Sequence, residues 1–375
     1  MILLIGNYLA DQQQSMLRFN QMMLEGLREC GVEAELIRPA TLFGRIRAFG
    51  DTATKWLGYI DKFILFRWLL WRKLAAQPAV VHICDHSSAM YAASCKRAPV
   101  LTTCHDLLAV RGSLGEATTY SPSVTGRILQ RWILHGLRCA DVVACISRAT
   151  ATDAQRLIHK HENKPRISVV EMGLNFPYRQ LPATIAEQRL SVVSQLDLSR
   201  AFILHVGSNL PRKNREGVLR IFAKCAGALN AQMVFAGDAL SESLRKQARD
   251  LSIEELIVEL PNASDELLEA LYNRAHALLF PSRFEGFGWP VIEAQACGCP
   301  VVCSASDPMA DIAGVAALLR EPEDEDGFAA DLLLLSNSDE RRNWSARSLE
   351  NAKRFSAARM ISEYRELYRS LSPAC

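Results

Sequence analysis

The sequence predicts two consecutive α/β domains, each built on a parallel, doubly wound sheet. A chain of 375 residues exceeds the ~250–300 residues at which one hydrophobic core stops growing. Short apolar runs of strand length alternate with helical patterns in the first half, and this alternation restarts after residue 200. Alternating strands and helices are typical of a parallel sheet flanked by helices.

The first half follows this alternation from its start. Ile2–Ile5 predicts a strand, Ser15–Cys30 a helix ended by Gly31, and Glu33–Ile37 the next strand. Further strands are predicted at Ala79–Ile83, Val100–Thr103, Val142–Ile146 and Ile167–Val170, and helices at Thr125–Cys139 and Arg148–His159. We therefore expect a first domain over residues 1–172.

A polar stretch with Asn175-Phe-Pro and Leu181-Pro interrupts the pattern, and we expect a linker over residues 173–200. The second domain is predicted over residues 201–354. Its strands are expected at Phe202–Val206, Gln232–Ala236, Ile257–Leu260, Ala275–Phe280 and Val301–Cys303, and its helices at Glu216–Gly227, Ser241–Asp250, Asp265–Arg274 and Val291–Cys297. A helix is expected within residues 355–375.

The most informative run is Glu285-Gly-Phe-Gly-Trp-Pro-Val-Ile-Glu293, between a predicted strand and a predicted helix. Its two carboxylates lie eight residues apart. Gly286 and Gly288 allow the backbone to approach a ligand closely or to adopt a positive φ. The start of the helix offers unpaired N–H groups and the positive end of its dipole. This corner suits a ligand that carries both hydroxyls and an anionic group.

The run resembles the Glu-x7-Glu signature of retaining glycosyltransferases with the GT-B fold, of the family 4 type (glycosyltransferase group 1). The flanking Pro281-Ser282, Pro290 and Gly298-x-Pro-Val-Val302 match as well. The resemblance implies two doubly wound Rossmann-like domains facing a central cleft, with the acceptor on the N-terminal side and the donor on the C-terminal side. It also implies that the last helix crosses back to the N-terminal domain.

The resemblance assigns roles to the residues of this corner. The first glutamate, Glu285, would contact the donor sugar, and the second, Glu293, the ribose of a nucleotide diphosphate sugar. The other donor-binding residues that it implies here are Ser282, Phe287, Gly288 and Trp289, the last three through backbone amides.

A second run, from Gly207 to Asn214, follows a strand and opens a helix. Arg212 and Lys213 are adjacent cations beside a glycine turn, an arrangement that suits a phosphate group. The run resembles the family's segment that holds the donor diphosphate. Some relatives place an arginine directly after the glycine, where this chain has Ser208.

The first domain has a histidine at the end of a predicted strand, His105. Ligands of α/β sheets bind beyond the carboxyl ends of the strands, and the resemblance implies that this histidine reaches the donor sugar. With Glu285 and Lys213 it completes the predicted catalytic set. Ser15 and His86 are candidates on the acceptor side, although Ser15 at a helix start also suits an N-cap.

Together these patterns predict a retaining, metal-independent hexosyltransferase. It would move a sugar, such as a mannose-type hexose, to a glycan, lipid-linked or small-molecule acceptor. We expect neither a cofactor nor a nucleic-acid partner. Two alternatives remain: a non-catalytic sugar-nucleotide-binding or scaffold subunit, and a sugar-nucleotide epimerase of similar fold. A dehydrogenase is disfavoured because Gly-x-Gly-x-x-Gly follows none of the predicted strands.

Charge is unevenly distributed along the chain. Residues 1–170 carry 21 Lys and Arg against 13 Asp and Glu, a net charge of +8, whereas the remainder carries 22 against 28, a net of −6. The segment Phe43–Lys73 mixes aromatic and basic residues, and its most apolar run is shorter than the ~20 residues that span a bilayer. We therefore expect the Phe43–Lys73 segment either to contact an anionic membrane surface or to pack as amphipathic helices on the sheet. Most of the eleven cysteines lie in apolar runs, as buried thiols do, so we expect a reducing, cytoplasmic location.

Overall fold

The computed structural model describes residues 1–45, 56–116, 118, 122–158 and 165–372. It divides into two compact units: unit 1 is Met1–Asn175 with Ala357–Cys375, and unit 2 is Phe176–Ser356. Each unit contains a six-stranded sheet whose paired strands are parallel. The prediction of two Rossmann-like domains is confirmed.

The sheet of unit 1 has the strand order β2-β1-β3-β4-β5-β6. Its central strands are fully buried because helices cover the sheet. The order reverses between β1 and β3, so the carboxyl ends of these two strands flank a topological switch point, where ligands of open α/β sheets bind. The strands are β1 (Ile2–Ile5), β2 (Ala34–Ile37), β3 (Val80–Ile83), β4 (Val100–Cys104), β5 (Val142–Cys145) and β6 (Arg166–Val169).

The helices of unit 1 pack an apolar stripe against this sheet. For example, the helix from Val124 to Arg138 buries Ile133, Leu134 and Leu137, which join the core of the unit. The helices are α1 (Gln14–Glu29), α2 (Phe66–Leu74), α3 (Leu108–Ser113), α4 (Val124–Arg138) and α5 (Arg148–Ile158).

The aromatic and basic segment is largely helical where it is described. Residues 56–60 are helical, and a π-helical stretch, Asp61–Leu65, leads into α2. The buried Asp61 carboxylate accepts hydrogen bonds from the backbone N–H groups of Phe43 and Gly44 and from the Tyr8 hydroxyl. Burial opposes ionisation of Asp61, but these donors lower its pKa overall. Of the predicted aromatic and basic positions, Arg47, Phe49 and Lys55 lie outside the described residues.

The sheet of unit 2 has the order β12-β11-β10-β7-β8-β9, with its reversal between β10 and β7. These strands are β7 (Ala201–Gly207), β8 (Ala231–Gly237), β9 (Ile257–Pro261), β10 (Ala277–Phe280), β11 (Val301–Ser304) and β12 (Leu318–Arg320). The helices of the unit are α6 (Ala183–Leu190), α7 (Arg215–Leu229), α8 (Glu242–Asp250), α9 (Asp265–Arg274), α10 (Trp289–Ala296), α11 (Met309–Ala313), α12 (Glu325–Leu334) and α13 (Ser338–Ala352).

Residues 176–200, for which the sequence predicts a linker, are an integral part of unit 2. Helix α6 lies within them and buries Ala186 and Leu190. Arg189 pairs with the buried Glu269 on α9 at 2.6 Å. The prolines and polar residues of this stretch flank short elements such as α6, and the stretch packs as part of unit 2.

The final helix, α14 (Ala357–Leu371), belongs to unit 1. Buried hydrogen bonds tie it to the sheet. The two ring nitrogens of His82 contact the Tyr368 hydroxyl at 2.7 Å and the Thr103 hydroxyl at 2.8 Å. Thr103 also contacts the Tyr364 hydroxyl at 2.8 Å. Burial lowers the pKa of His82 to about 3, so this histidine is neutral and serves to anchor the helix.

Candidate active site

The corner from Phe280 to Trp289 lies at the switch point of unit 2. Strand β10 ends at Phe280, and α10 begins at Trp289 after a turn through Gly288. Gly288 has φ of 109°, and a Cβ built there would lie 2.3 Å from Cε of Met309. Only glycine combines this backbone conformation with this close approach. The local sequence therefore fixes the direction in which the helix leaves the sheet.

Glu285 is held between two cations at this corner. Its Oε2 accepts a hydrogen bond from Nη1 of Arg212 at 2.7 Å, and Nζ of Lys213 lies 2.7 Å from its Oε1. The Glu285 side chain is only 7% exposed. Burial opposes its ionisation, but the charges of Lys213 and Arg212 outweigh that effect and hold its pKa below the ordinary value. The site therefore contains a buried, ionised carboxylate with two cations around it.

Lys213 reaches this position from the loop that follows β7. Its ammonium lies 4.8 Å from the centre of the Phe280 ring, and burial lowers its pKa against the opposing effect of Glu285. The backbone N–H of Arg283 donates to the carbonyl of Arg212 at 2.8 Å, which links the β7 and β10 loops. Two stretches about 70 residues apart in sequence are thus joined at the carboxyl ends of adjacent strands.

Glu293, the second glutamate of the run, is buried on α10. Its Oε2 accepts a hydrogen bond from the Tyr272 hydroxyl at 2.8 Å. Burial and the charge of Glu293 raise the pKa of Tyr272 well above its ordinary value, so the phenol keeps the proton that it donates. Tyr272 therefore fixes the rotamer of Glu293.

Arg215 organises the loops around these cations, and sequence reasoning did not single it out. Its guanidinium donates to the carbonyls of Gly207 and Asp238, at 2.5 and 2.8 Å, and to the Asn209 side chain at 2.6 Å. It also lies over the Phe235 ring. Burial lowers its pKa to about 10. The feature of the sequence that could have identified Arg215 is its position directly after Arg212-Lys213-Asn214, at a predicted helix start.

Gly207 is the point at which these interactions meet. Besides accepting from Arg215, its carbonyl lies so close to Gly237 that a Cβ on Gly237 would be 2.1 Å away. The β7 and β8 strand ends therefore approach each other more closely than side chains would allow.

The remaining predicted donor residues also lie at this corner. Ser282 is fully buried, and its carbonyl accepts a hydrogen bond from the Ser304 hydroxyl at 2.6 Å. The Phe287 ring points into the unit, with its centre 5.8 Å from that of Phe355. Trp289 is the first residue of α10. The structure thus brings together Gly207, Arg212, Lys213, Ser282, Glu285 and Glu293 in the loops and helix that follow β7 and β10.

Unit 1 has its own polar cluster beyond the ends of its central strands. Asp85 follows β3 and is buried; it accepts from the Ser87 hydroxyl at 2.6 Å and lies 3.1 Å from Nδ1 of His86. Burial opposes its ionisation, but His86 outweighs this and lowers the pKa of Asp85. Burial likewise opposes protonation of His86, yet the hydrogen bond to Asp85 raises its pKa overall. His86 and Asp85 therefore form an ion pair.

His105 lies beside this pair, after β4. Its Nε2 donates to the carbonyl of Cys84 at 2.9 Å, which fixes the tautomer of the neutral ring and leaves Nδ1 as an acceptor. Burial lowers its pKa. Phe19 packs edge-on against the ring, with centres 5.0 Å apart. Sequence reasoning identified His105 and His86 but missed Asp85, whose signal was its place after a buried strand.

Ser15 is exposed in the first turn of α1 and does not cap that helix. The residue at the N-cap position is Gln13, whose side-chain oxygen accepts a hydrogen bond from the Asn7 amide at 2.8 Å. The N-cap alternative for Ser15 is therefore wrong. The run of three glutamines before Ser15 allows the helix to begin one residue earlier.

Among the described residues, no three His, Cys, Asp or Glu side chains are grouped as a metal site would require. What unit 2 offers instead is fixed positive charge, from Arg212 and Lys213, next to carboxylates suited to hydroxyl groups. Such an arrangement can bind a molecule with an anionic group and a polyol, and it can stabilise negative charge that develops on the anionic group.

Two family models match this chain. Residues 187–351 match "Glycosyl transferases group 1", and residues 18–175 match "Glycosyltransferase Family 4". Unit 2 contains the first region and unit 1 the second. The match therefore extends over the sheet of unit 2 and, apart from β1, the sheet of unit 1, and it includes every residue of the Glu285 corner.

Individual proteins that resemble this chain are also named as glycosyltransferases. The chain is 29% identical to the O-antigen chain mannosyltransferase B of Escherichia coli over 68% of its length and 66% of that protein. It is 27% identical to a D-inositol 3-phosphate glycosyltransferase of Corynebacterium glutamicum over 72% of its length and 66% of that protein. The matches thus span just under two thirds of each of these relatives.

Solved structures resemble the chain over nearly its full length. The sucrose-phosphate synthase of Thermosynechococcus elongatus superimposes with a TM-score of 0.77, at 18% identity, over 100% of this chain and 99% of that one. The Anabaena protein HepE in complex with UDP and glucose superimposes with a TM-score of 0.71, at 18% identity, over 99% of each chain. At this identity the likeness concerns the fold.

Proposed function

We propose that this chain, which belongs to the GT-B glycosyltransferases of the group 1 and family 4 type, transfers a sugar from a nucleotide diphosphate sugar to a glycan or lipid-linked acceptor. The observation that carries the proposal is the buried Glu285 carboxylate between Arg212 and Lys213 at the switch point of unit 2. A diphosphate suits the two cations, and the hydroxyls of a sugar suit the carboxylate.

In the reaction, the bond between the anomeric carbon and the diphosphate oxygen breaks as charge accumulates on the diphosphate. Arg212 and Lys213 stabilise this charge, and their fixed positions avoid reorganisation during the reaction. Glu285 holds the transferred sugar as its ring becomes oxocarbenium-like, with the amides around Phe287, Gly288 and Trp289. Glu293, oriented by Tyr272, holds the ribose. His105 contacts the donor sugar.

We further propose that the transfer retains the anomeric configuration and needs no metal ion. The new bond forms to the acceptor oxygen on the face that the diphosphate leaves. The acceptor hydroxyl gives its proton to the leaving phosphate oxygen, so no protein side chain is assigned as nucleophile or general base. The two cations neutralise charge that a metal ion would otherwise neutralise.

The named relatives support a choice of donor and acceptor. The similarity to an O-antigen chain mannosyltransferase favours a mannose-type hexose as the transferred sugar and a growing glycan as the acceptor. The similarity to inositol-phosphate glycosyltransferases keeps a small phosphorylated acceptor as the competing choice. A sugar nucleotide is common to both.

A panel of nucleotide diphosphate hexoses tests the proposal by thermal unfolding and by slow donor hydrolysis. A ligand that binds only the folded chain raises its stability by mass action, by about 2.7 kcal/mol at 100 times Kd. We expect one nucleotide family to stabilise the protein and to be hydrolysed without an acceptor. Stabilisation without hydrolysis or transfer would indicate the scaffold alternative, and an isomerised sugar nucleotide as the product would indicate an epimerase.

We propose that the protein also works at an anionic membrane surface from the cytoplasmic side. Trp68 and Trp71 on α2 are 59% and 64% exposed, and Val124 and Ile128 are exposed on α4. The ring centres of Phe63 and Trp132 lie 5.0 Å apart, so the two helical segments are neighbours.

Residues 62–84 and 117–140 contain no Asp or Glu. Exposed tryptophans beside the exposed cations Arg67 and Arg72 suit an interface with anionic lipid. In the described part of the chain, no helix meets the length and hydropathy of a membrane span.

Sedimentation with anionic vesicles tests this role. The double variant Arg67→Gln/Arg72→Gln should bind about 30-fold more weakly at low salt, since each cation near the surface contributes ~1 kcal/mol. Arg342→Gln, which changes an exposed cation of unit 2, is the control. Equal sedimentation of both variants, or no sedimentation of the natural protein, contradicts membrane association and leaves a soluble acceptor.

A further inference from the structure

Unit 1 contains a partly open cavity, lined by both polar and apolar side chains, that none of the roles above uses. It has a volume of about 220 Å³. Asn7, directly beyond β1, and Ser87 and Ser88, beyond β3, form one wall, so the cavity lies at the switch point of this sheet. The facing wall comes from the inward side of the helical segments that carry Lys62 and Gln130.

Gln130 is the residue that points to a ligand. It is 8% exposed and lines the cavity. Among the described residues, no hydrogen bond of its amide is found, although an amide offers two donors and one acceptor. Because Gln130 lines the cavity, a molecule that enters the cavity can form hydrogen bonds with this amide.

The charges around the cavity balance. Its charged lining residues are Lys62 and Asp11, and these pair with each other at 2.5 Å. The ammonium of Lys62 also lies 4.9 Å from the centre of the Tyr8 ring. Behind the lining, the ion pair of Asp85 and His86 adds no net charge. A phosphate or carboxylate would have to displace Asp11 from Lys62, so the cavity favours an uncharged ligand.

The shape and the apolar part of the lining narrow the ligand class further. A volume of about 220 Å³ corresponds to roughly seven water molecules at ~30 Å³ each, the size of one six-membered sugar ring. The aromatic rings of Tyr59 and Phe63, 5.4 Å apart, offer a surface for the C–H face of such a ring. The amide of Gln130 offers hydrogen bonds to its hydroxyls.

We infer that this cavity binds one neutral hexopyranose residue of the acceptor, and that Gln130 and the Lys62–Asp11 pair determine its specificity. The identification of this sugar as part of the acceptor rests on the proposed function, whereas the binding of the sugar does not. A phosphorylated acceptor is the less favoured alternative for this cavity, because its described lining residues include no unpaired cation for a phosphate group.

Saturation-transfer NMR on the full chain tests the binding, with methyl α-mannopyranoside, methyl α-glucopyranoside and mannose 6-phosphate as probes. We expect at least one methyl glycoside to bind, and mannose 6-phosphate to bind at least tenfold more weakly. Gln130→Leu should weaken the glycoside at least tenfold, whereas Gln21→Leu, on the exposed side of α1, should not change it. Binding of neither glycoside, or an unaffected Gln130→Leu, overturns the inference.

A second variant keeps the test decisive if Gln130→Leu fails to fold. Asp11→Asn leaves Lys62 without its carboxylate partner, and we expect it to bind mannose 6-phosphate about tenfold more tightly than the natural protein does. An unchanged or lower affinity for the sugar phosphate contradicts the proposed charge balance. Donor hydrolysis by the natural protein is measured in parallel. Glycoside binding without donor hydrolysis would contradict the proposed function but would still support a sugar-binding site in this cavity.

Discussion

Replacing Lys213 by methionine removes the ammonium, which lies over the Phe280 ring, and retains most of the apolar stem. In the proposed mechanism this ammonium stabilises the leaving diphosphate. A hydrogen bond to a charged group contributes ~1.5–3 kcal/mol, and each 1.4 kcal/mol is about tenfold. We therefore expect kcat/KM for the best donor to fall by about 10- to 100-fold, measured as transfer or as donor hydrolysis.

The same change also leaves Glu285 with a single cation, Arg212. A buried charge that loses one of two partners lowers the free energy of unfolding, here by about 1–3 kcal/mol at neutral pH. The pKa of Glu285 should rise toward its ordinary value. Its contribution to stability is present above the pKa of the unfolded state and is lost as pH falls through the folded pKa, so the variant should lose this contribution at a higher pH than the natural protein.

Two controls separate the effect on chemistry from the effect on stability. Lys224→Met removes an exposed cation of α7 that pairs with Asp326, and it should leave kcat/KM unchanged. Adding Glu285→Gln to Lys213→Met should recover stability but not activity. The diphosphate assignment is refuted if kcat/KM for every donor in the panel is the same with and without Lys213.

Three further outcomes follow from other parts of the structure. Glu285→Gln should lower kcat more than it weakens donor binding, because the carboxylate acts on charge in the transition state; a change in donor affinity alone would make Glu285 a ground-state contact. Burial lowers the pKa of His82 and of His205 to about 3, so below pH 6.5 the unfolded chain binds protons that the folded chain excludes, and each histidine should reduce stability by ~1.4 kcal/mol per pH unit down to about pH 3. Urea unfolding at several pH values measures this slope, and a slope unchanged in His205→Asn contradicts it. Gly288→Ala should destabilise unit 2 by about 1–3 kcal/mol through its positive φ, and Met309→Ala should relieve the steric clash but not the backbone strain; full rescue by the second change would show that strain is negligible.

The periodicity of the chain was sufficient to predict much of the secondary structure. Ile2–Ile5 forms the predicted strand, and the predicted helix Asp265–Arg274 forms with the same bounds. These features depend on neighbours in sequence, so local patterns reveal them. The π-helical turn at Asp61 was not predicted, because its anchoring partners at residues 42–44 lie about 18 residues away.

In the candidate active site, too, some features could be predicted from the sequence and others depend on tertiary contacts. Glu285, Glu293, Arg212 and Lys213 stood out because glycines, a strand end and a helix start surround them in sequence. Neither the run around Glu285 nor the run around Lys213 indicates that these two side chains form an ion pair, because that pairing depends on β7 and β10 being adjacent in the sheet. Tyr272 was missed for the same reason: it acts on Glu293, a partner 21 residues away that helix packing brings close.

By itself, the sequence determined where strands and helices alternate, and which stretches carry the charges and glycines of a ligand site. These properties follow from periodicity and from the conformational limits of single residues. The tertiary structure alone decided that residues 176–200 belong to unit 2, that His82 anchors the last helix, and that Gln130 faces a neutral cavity. Each of these depends on contacts between residues far apart in the chain, where burial and charge are set by partners that no local pattern specifies.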